Sequence, residues 1–250
     1  MKSLFIDVGN SSAKLGVGGS GFDVVERCAR DPETIVEQIT AIAIDRDWHT
    51  STTEPLAVDK ILIASVADDG FNAELAAAIS AKVTGSLEFC QTPAAGFGIK
   101  NSYTEPHRMG VDRWLALVGA WVPRREALLV FDAGTALTCD VINAQGEHKG
   151  GFIMPGSQLM EAALRRDTQR IRYDDIQPTS LEAGRSTAAC VVSGTWTALV
   201  GAVTSLQARY PHYGSILTGG DGQALLDLGV RAEWRPHLVL EGLELTVSAP

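Results

Sequence analysis

Two aspartates are each followed by the same small pattern. Asp7 opens Asp7-Val8-Gly9-Asn10-Ser11-Ser12, and Asp132 opens Asp132-Ala133-Gly134-Thr135-Ala136. Each follows an apolar run, Leu4-Phe5-Ile6 in one case and Ala127 to Phe131 in the other. Strand ends are where open α/β sheets meet ligands. A glycine there lets the backbone approach a ligand and take a positive φ. Asn10 and Ser11 add amide and hydroxyl donors beside exposed backbone N–H groups. Such a turn can cradle phosphate, and Asp7 can hold a hydrated Mg²⁺. Two of them facing each other would grip a polyphosphate from both sides. The plain alternative is a hairpin with a helix-capping aspartate. The chain carries no Gly-x4-Gly-Lys-[Ser/Thr] phosphate loop and no His-Arg-Asp or Asp-Phe-Gly kinase signature.

A third group is Gly110-Val111-Asp112-Arg113, where a polar loop becomes an apolar helix. The periodicity of Trp114, Leu115, Leu117, Val118 and Trp121 puts Asp112 in the first helical turn. The positive helix end favours its charged form, ready to accept a proton from a hydroxyl. Arg113 beside it suits a two-pronged contact with carboxylate or phosphate. The competing reading is a first-turn acid next to a solvated arginine. Lys14 reads equally as a phosphate contact or as a solvated strand lysine. His49, His107, His148, His212 and His237 share no spacing and read as surface or loop residues. Trp196 reads as core, and the acidic pair Asp174-Asp175 as a solvated loop feature.

Elements must place these groups. Strands are expected at Leu4 to Asp7, Ala13 to Val17, Phe22 to Cys28, Lys60 to Val66 and Leu87 to Cys90. Helices are expected from Pro32, from Asn72 to Lys82, and from Val111 to Val122. The second half repeats the opening, with strand, Asp-x-Gly, strand, since Asp132 follows Asp7 by 125 residues. An ungapped alignment at that offset sets Lys14 against Cys139. An internal repeat at half-chain spacing implies two similar units. Further elements are a strand from Lys149 to Gly156, helices over Gln158 to Asp167, Thr187 to Tyr210 and Gly222 to Leu228, and a strand from Ser215 into Thr218-Gly219-Gly220. Alternating helices and strands make the class α/β. The interruption Pro123-Arg124-Arg125-Glu126 sets expected domains of 1–122 and 123–250.

Composition narrows the function classes. The 250 residues carry 21 Lys+Arg against 30 Asp+Glu, a net charge of −9, with 45% hydrophobic residues. An acidic chain is a poor match for nucleic-acid phosphates, so no nucleic-acid partner is expected. Cys28, Cys90, Cys139 and Cys190 lack zinc-site spacing and read as free thiols, most of them buried, in a reducing cytoplasm. The apolar run after Met1 is too short for a secretory leader, and no membrane span is expected. Val191 to Leu206 comes nearest and reads as a buried helix.

The ordered set of motifs resembles the type III pantothenate kinases, members of the sugar kinase, Hsp70 and actin superfamily. The resemblance rests on Asp7-Val8-Gly9-Asn10-Ser11, Asn101-Ser102-Tyr103 leading to Gly110-Val111-Asp112-Arg113, and Asp132-Ala133-Gly134-Thr135-Ala136-Leu137-Thr138. It extends through Gly150 to Gly156, Gly184-Arg185-Ser186-Thr187 and Thr218-Gly219-Gly220. Many relatives have threonine in place of Ser11. The resemblance implies two ribonuclease H-like, actin-like ATPase domains with a cleft between them, and ATP-dependent phosphorylation of pantothenate, the first step of coenzyme A synthesis. It implies ATP binding by Asp7, Val8, Gly9, Asn10, Ser11, Ser12, Ala13, Lys14 and Thr135, with Mg²⁺ accompanying the nucleotide. Asp112 would be the proton acceptor. Tyr103, Gly110, Val111, Asp112, Arg113 and Thr187 would bind pantothenate. Asp132 would hold a monovalent cation, K⁺ or NH₄⁺. A cytoplasmic homodimer is implied. The alternatives are a small sugar kinase, or a nucleotide-binding regulator of the same superfamily without an acceptor substrate.

Overall fold

The computed structural model describes residues 2–18, 23–46, 48, 55–167 and 180–248. In chain order the first elements are β1 (Ser3–Val8), β2 (Ser12–Gly18), β3 (Asp23–Ala29), α1 (Pro32–Asp45), β4 (Leu56–Ser65), α2 (Asp69–Ser80) and β5 (Val83–Phe89). The short strands β6 (Ala95–Gly96) and β7 (Ile99–Lys100) and helix α3 (Val111–Trp121) follow. The second half holds β8 (Leu128–Ala133), β9 (Ala136–Ile142), β10 (His148–Pro155), α4 (Ser157–Asp167) and α5 (Thr187–Arg209). It closes with β11 (Gly214–Thr218), α6 (Gly222–Asp227), β12 (Glu233–Trp234) and α7 (Leu238–Ser248). Phe22, His49 and the pair Asp174-Asp175 lie outside the described residues.

The chain forms two compact units. One comprises Met1–Phe97, Tyr103–Val122 and His237–Pro250, the other Gly98–Ser102 and Pro123–Pro236. The expected domain of 123–250 therefore needs correcting, because its last segment belongs to the first unit. The reason is helix packing. A Cβ on Gly119 of α3 would lie 2.5 Å from the Leu238 carbonyl oxygen, and one on Gly242 of α7 would lie 2.1 Å from that of Leu115. The two helices meet backbone to backbone at these glycines, an approach closed to any larger residue.

In the first unit the strand order is β3-β2-β1-β4-β5, with β1–β3 antiparallel and β4 and β5 parallel to β1. Leu4, Ile6 and Val8 alternate onto one face of β1 and join Ile35, Ile39 and Ile42 of α1 and Leu75 and Ile79 of α2 in one core. Asp31 caps α1 by accepting from Thr34 N at 2.9 Å, ahead of Pro32 at the first turn. Asp68 caps α2 in the same way, accepting from Phe71 N at 3.0 Å, so this helix starts before the expected Asn72.

The second unit repeats the order as β10-β9-β8-β11-β12, with the same antiparallel and parallel pairings. Leu129, Phe131, Leu137, Cys139 and Val141 pack against Val192, Trp196, Leu199, Val203 and Leu206 of α5. By length and apolar content α5 could cross a membrane, but its buried face serves this core. Its other face, including Thr197, Gly201 and Thr204, is exposed, so only one side is buried as expected. The cysteines also differ from expectation. Only Cys139 is buried, Cys28 and Cys90 are half-buried and Cys190 is exposed. Burial pushes the Cys90 thiol up to about 11.

Candidate active site

The first turn joins β1 to β2. Asp7 lies inside β1 rather than at its end, is nearly buried, and pairs across the ladder with Lys14. Directly opposed residues share one face of the hairpin, with Cβ atoms about 4.5–5.5 Å apart. Val8 pairs with Ala13, leaving Gly9 to Ser12 as the connection, closed by Gly9 N donating to Ser12 O at 3.0 Å. Gly9 is not among the positive-φ residues, so the expected left-handed conformation is absent there. Two arginines from β3 and the residue after it brace the turn. Arg27 Nε donates to Ser12 Oγ at 3.0 Å, and Arg30 Nη1 donates to Asn10 O at 3.0 Å. The Arg30 guanidinium also sits 4.9 Å from the centre of the Phe71 ring. His237, at the start of α7, is half-buried. Burial first, and the Lys14 charge second, hold its imidazole below the ordinary histidine range. Arg27, Arg30 and His237 were not anticipated as neighbours of this turn. The only signal was Arg27 on the strand expected from Phe22 to Cys28.

The second turn is one residue shorter. Ala133 pairs with Leu137, leaving Gly134 to Ala136, and Gly134 N donates to Ala136 O at 3.0 Å. The residue opposite Asp132 is therefore Thr138. The ungapped repeat holds through the glycine and fails beyond it. Neighbouring backbone supports this turn. Gly156 N donates to Thr135 O at 3.0 Å, and a Cβ on Gly156 would lie 2.2 Å from Gly134 O. Gly219, at φ +94°, lies against the aspartate. A Cβ there would stand 2.4 Å from both Asp132 Oδ1 and Ala133 O. A carboxylate and a carbonyl oxygen thus converge on one small cradle, a donor set suited to a hard cation. Asp221 N donates to Ala133 O at 2.8 Å, and the Ser157 hydroxyl donates to the Asp221 carboxylate. Ser157 and Asp221 were not anticipated. Among the described residues no three His, Cys, Asp or Glu side chains converge. A divalent ion arriving with a polyphosphate would keep phosphate and water ligands, as Mg²⁺ prefers.

The third group starts α3. Gly110 precedes the helix without a side-chain cap, and Asp112 occupies its first turn, half-buried. Asp112 Oδ1 accepts from Arg113 N at 2.7 Å, so the carboxylate folds over the otherwise open helix end. Gly110 makes room for it, since a Cβ there would stand 2.5 Å from Asp112 Oδ1. Arg113 is 7% exposed, which removes the solvated reading. Its Nη1 donates to the Tyr103 hydroxyl at 2.8 Å. Val111 is buried under the same turn, and Thr92 Oγ1 donates to Met109 O at 2.8 Å just before it. Tyr103, Gly110, Asp112 and Arg113 thus come together. Thr187 belongs to the other unit. It is exposed at the start of α5, in a pocket of about 640 Å³ shared with Leu164, Arg185 and Cys190.

The pattern of the type III pantothenate kinase family matches residues 3–209. A type III pantothenate kinase of Marinobacter nauticus is 32% identical over 249 residues, 98% of each chain. A crystal structure from Campylobacter jejuni, described as a conserved Baf family transcriptional activator, superposes with a TM-score of 0.59 at 20% identity, covering 98% of this chain and 97% of that one. MreB5 of Spiroplasma citri bound to ADP superposes at 0.53 with 10% identity, covering 99% and 96%. At those identities the structures share the fold, which is the actin-like ATPase architecture that the two repeated sheets describe. The pattern and the high-coverage relative go further, and the chain belongs to the type III pantothenate kinase family.

Proposed function

We propose that this chain transfers the γ-phosphoryl group of ATP to the primary hydroxyl of pantothenate, with Asp112 as the proton acceptor. The observation that carries the assignment of Asp112 is the start of α3, where an acid on an open helix end stands beside an arginine buried against Tyr103. A nucleotide switch needs no such pair. The substrate hydroxyl gives its proton to Asp112 and its oxygen bonds the γ-phosphorus. The bond from that phosphorus to the β-γ bridging oxygen breaks, and ADP leaves. In a loose transition state little covalent work falls to the protein, so positioning and charge stabilisation carry most of the rate. Arg113 and Tyr103 hold the polar end of pantothenate, with Gly110 and Val111 beside them, and Thr187 of the other unit is assigned to pantothenate by the family resemblance alone. The turn from Asp7 to Lys14 holds the triphosphate, and Thr135 of the other unit is assigned to ATP by the family resemblance alone. Mg²⁺, when bound with ATP, neutralises charge on the phosphate oxygens. The cradle of Asp132 Oδ1 and Ala133 O over Gly219 suits K⁺ or NH₄⁺.

The working form is a cytoplasmic homodimer. Ile153 of β10 and Leu159 and Leu164 of α4 are 65%, 45% and 38% exposed, an apolar surface on the second unit that a second subunit would cover.

Replacing Asp112 tests the assignment. Asp112→Asn keeps the shape and removes the proton acceptor. General-base catalysis contributes about 10²- to 10⁴-fold, so kcat should fall by at least the lower figure while the KM for ATP holds. A carboxylate that only stabilises the helix end contributes about 0.3–1 kcal/mol. A folded Asp112→Asn enzyme with ordinary pantothenate turnover would remove Asp112 from the reaction.

A further inference from the structure

One polar chain, anchored on a buried pair, lies outside every residue assigned to the two substrates. His148 Nε2 is 2.9 Å from Asp140 Oδ1, and His148 and Asp140 are 3% and 2% exposed. The sequence reading of His148 as a surface or loop residue is thereby corrected. Its other ring nitrogen, Nδ1, is 3.1 Å from Ser102 Oγ. An ionised carboxylate only accepts, so in the neutral imidazole Nε2 carries the proton and Nδ1 accepts from the Ser102 hydroxyl. Buried polar pairs of this kind add little net stability over apolar side chains of the same volume. What this one does hold is a single point on the backbone.

That point is the end of a strap. Gly98–Ser102 belongs to the second unit, whereas Tyr103 belongs to the first. The strap is tied by Lys100 N donating to Gly146 O at 2.8 Å, by a bridge from Lys100 to Glu147, and by buried Ile99. Ser102 is its last tie. The next residue is Tyr103, whose hydroxyl accepts from Arg113 Nη1. Consecutive Cα atoms are about 3.8 Å apart, so a fixed Ser102 narrows where the Tyr103 ring can stand.

We propose that Ser102, held by the Asp140–His148 pair, is a positioning residue for the acceptor substrate, fixing Tyr103 and through it Arg113. The proposal rests on the reading that Tyr103 and Arg113 contact pantothenate. A misplacement of about 1 Å costs on the order of 10²-fold in a reaction governed by orientation. Loosening one tie is a smaller displacement, and a rise in the pantothenate KM of roughly five- to thirtyfold is expected.

The test is steady-state kinetics on the full-length enzyme with both substrates varied, alongside thermal melting. Ser102 is exposed, so Ser102→Ala should leave the melting temperature and the KM for ATP near those of the parent while the pantothenate KM rises. Ser102→Thr keeps the hydroxyl and should restore most of the loss. His148→Gln should reproduce the pantothenate defect, with a lower melting temperature because a buried pair is broken. Tyr103→Phe separates the two claims. If it raises the pantothenate KM and Ser102→Ala does not, the positioning role is wrong and the acceptor-site reading stands. If Tyr103→Phe leaves that KM unchanged, the acceptor-site reading fails and takes the proposal with it. A Ser102→Ala enzyme with a lower melting temperature and an unmoved pantothenate KM would reduce the chain to a structural tie and overturn the proposal.

Discussion

The hairpin after Asp7 and the hairpin after Asp132 occupy equivalent places in two sheets of one strand order, yet they are braced by different means. The first is held by side chains. Arg27 and Arg30 grip its hydroxyl and carbonyl, and Lys14 stands opposite the aspartate. The second is held by backbone. Gly156 and Gly219 press against its carbonyls, and Thr138 stands opposite the aspartate. One residue of turn length makes this difference, because it decides which side chain lands across from the carboxylate. The first turn carries its own cation next to Asp7. The second places Thr138 opposite Asp132, with the Ala133 carbonyl close to the carboxylate. Duplicated motifs can thus diverge in chemistry through register while their topology stays fixed.

Exchanging the opposed residues tests that contrast most strongly. A lysine that bonds phosphate makes a charge-assisted contact worth about 1.5–3 kcal/mol. Lys14→Thr should therefore weaken MgATP use by roughly ten- to a hundredfold, read as the KM for ATP, with pantothenate KM little changed. The reciprocal Thr138→Lys places an ammonium beside Asp132 and should flatten any rate difference between K⁺ and Na⁺. Undiminished K⁺ stimulation in Thr138→Lys would detach Asp132 from the cation.

The next effect down is on stability. A methyl group on Gly156 would overlap the Gly134 and Thr135 carbonyl oxygens, at 2.2 and 2.7 Å. Both are backbone atoms, so relief requires the turn itself to move. Overpacking of this kind costs about 1–3 kcal/mol. In a chain of this length each kcal/mol shifts the midpoint by roughly 2–4 °C. Gly156→Ala should melt several degrees below the parent in a thermal scan, and an unchanged midpoint would show that the second turn is not braced by this contact.

Much of this architecture was legible in the sequence. Apolar runs ending at Asp-x-Gly located β1 and β8, and their recurrence at half the chain length pointed to two similar units. Asp112 and Arg113 could be placed on a helix start from periodicity alone. Register was not legible, since nothing local says whether a polar turn spans Gly9 to Ser12 or the shorter Gly134 to Ala136. The membership of α7 was hidden for a related reason. Gly119 and Gly242 look like weak points in helices until the two are seen in contact. His148 falls just before the strand expected from Lys149 and so reads as loop, and its partners Asp140 and Ser102 are brought to it only by strand pairing and by the strap. Arg113 shows the converse. The sequence left its burial open, and the 2.8 Å contact with Tyr103 decides it.

The smallest expected effect is at Gly9, the counterpart of the braced glycines. A Cβ there meets only Ser12 O, at 3.3 Å, and the residue has no positive φ to strain. Where alanine fits the native backbone, replacing glycine stabilises by about 0.4–1 kcal/mol through the unfolded chain, which offsets the mild crowding. Gly9→Ala should therefore melt within a couple of degrees of the parent, against the clear loss expected for Gly156→Ala. With stability unmoved, any rise in the KM for ATP reports on ligand approach to the first turn, because among the described residues only Ser12 O comes near that space. A Gly9→Ala enzyme with both the parent's midpoint and the parent's KM for ATP would mean that phosphate does not come close to Gly9, and that the side chains around the turn, Lys14 foremost, do the binding instead.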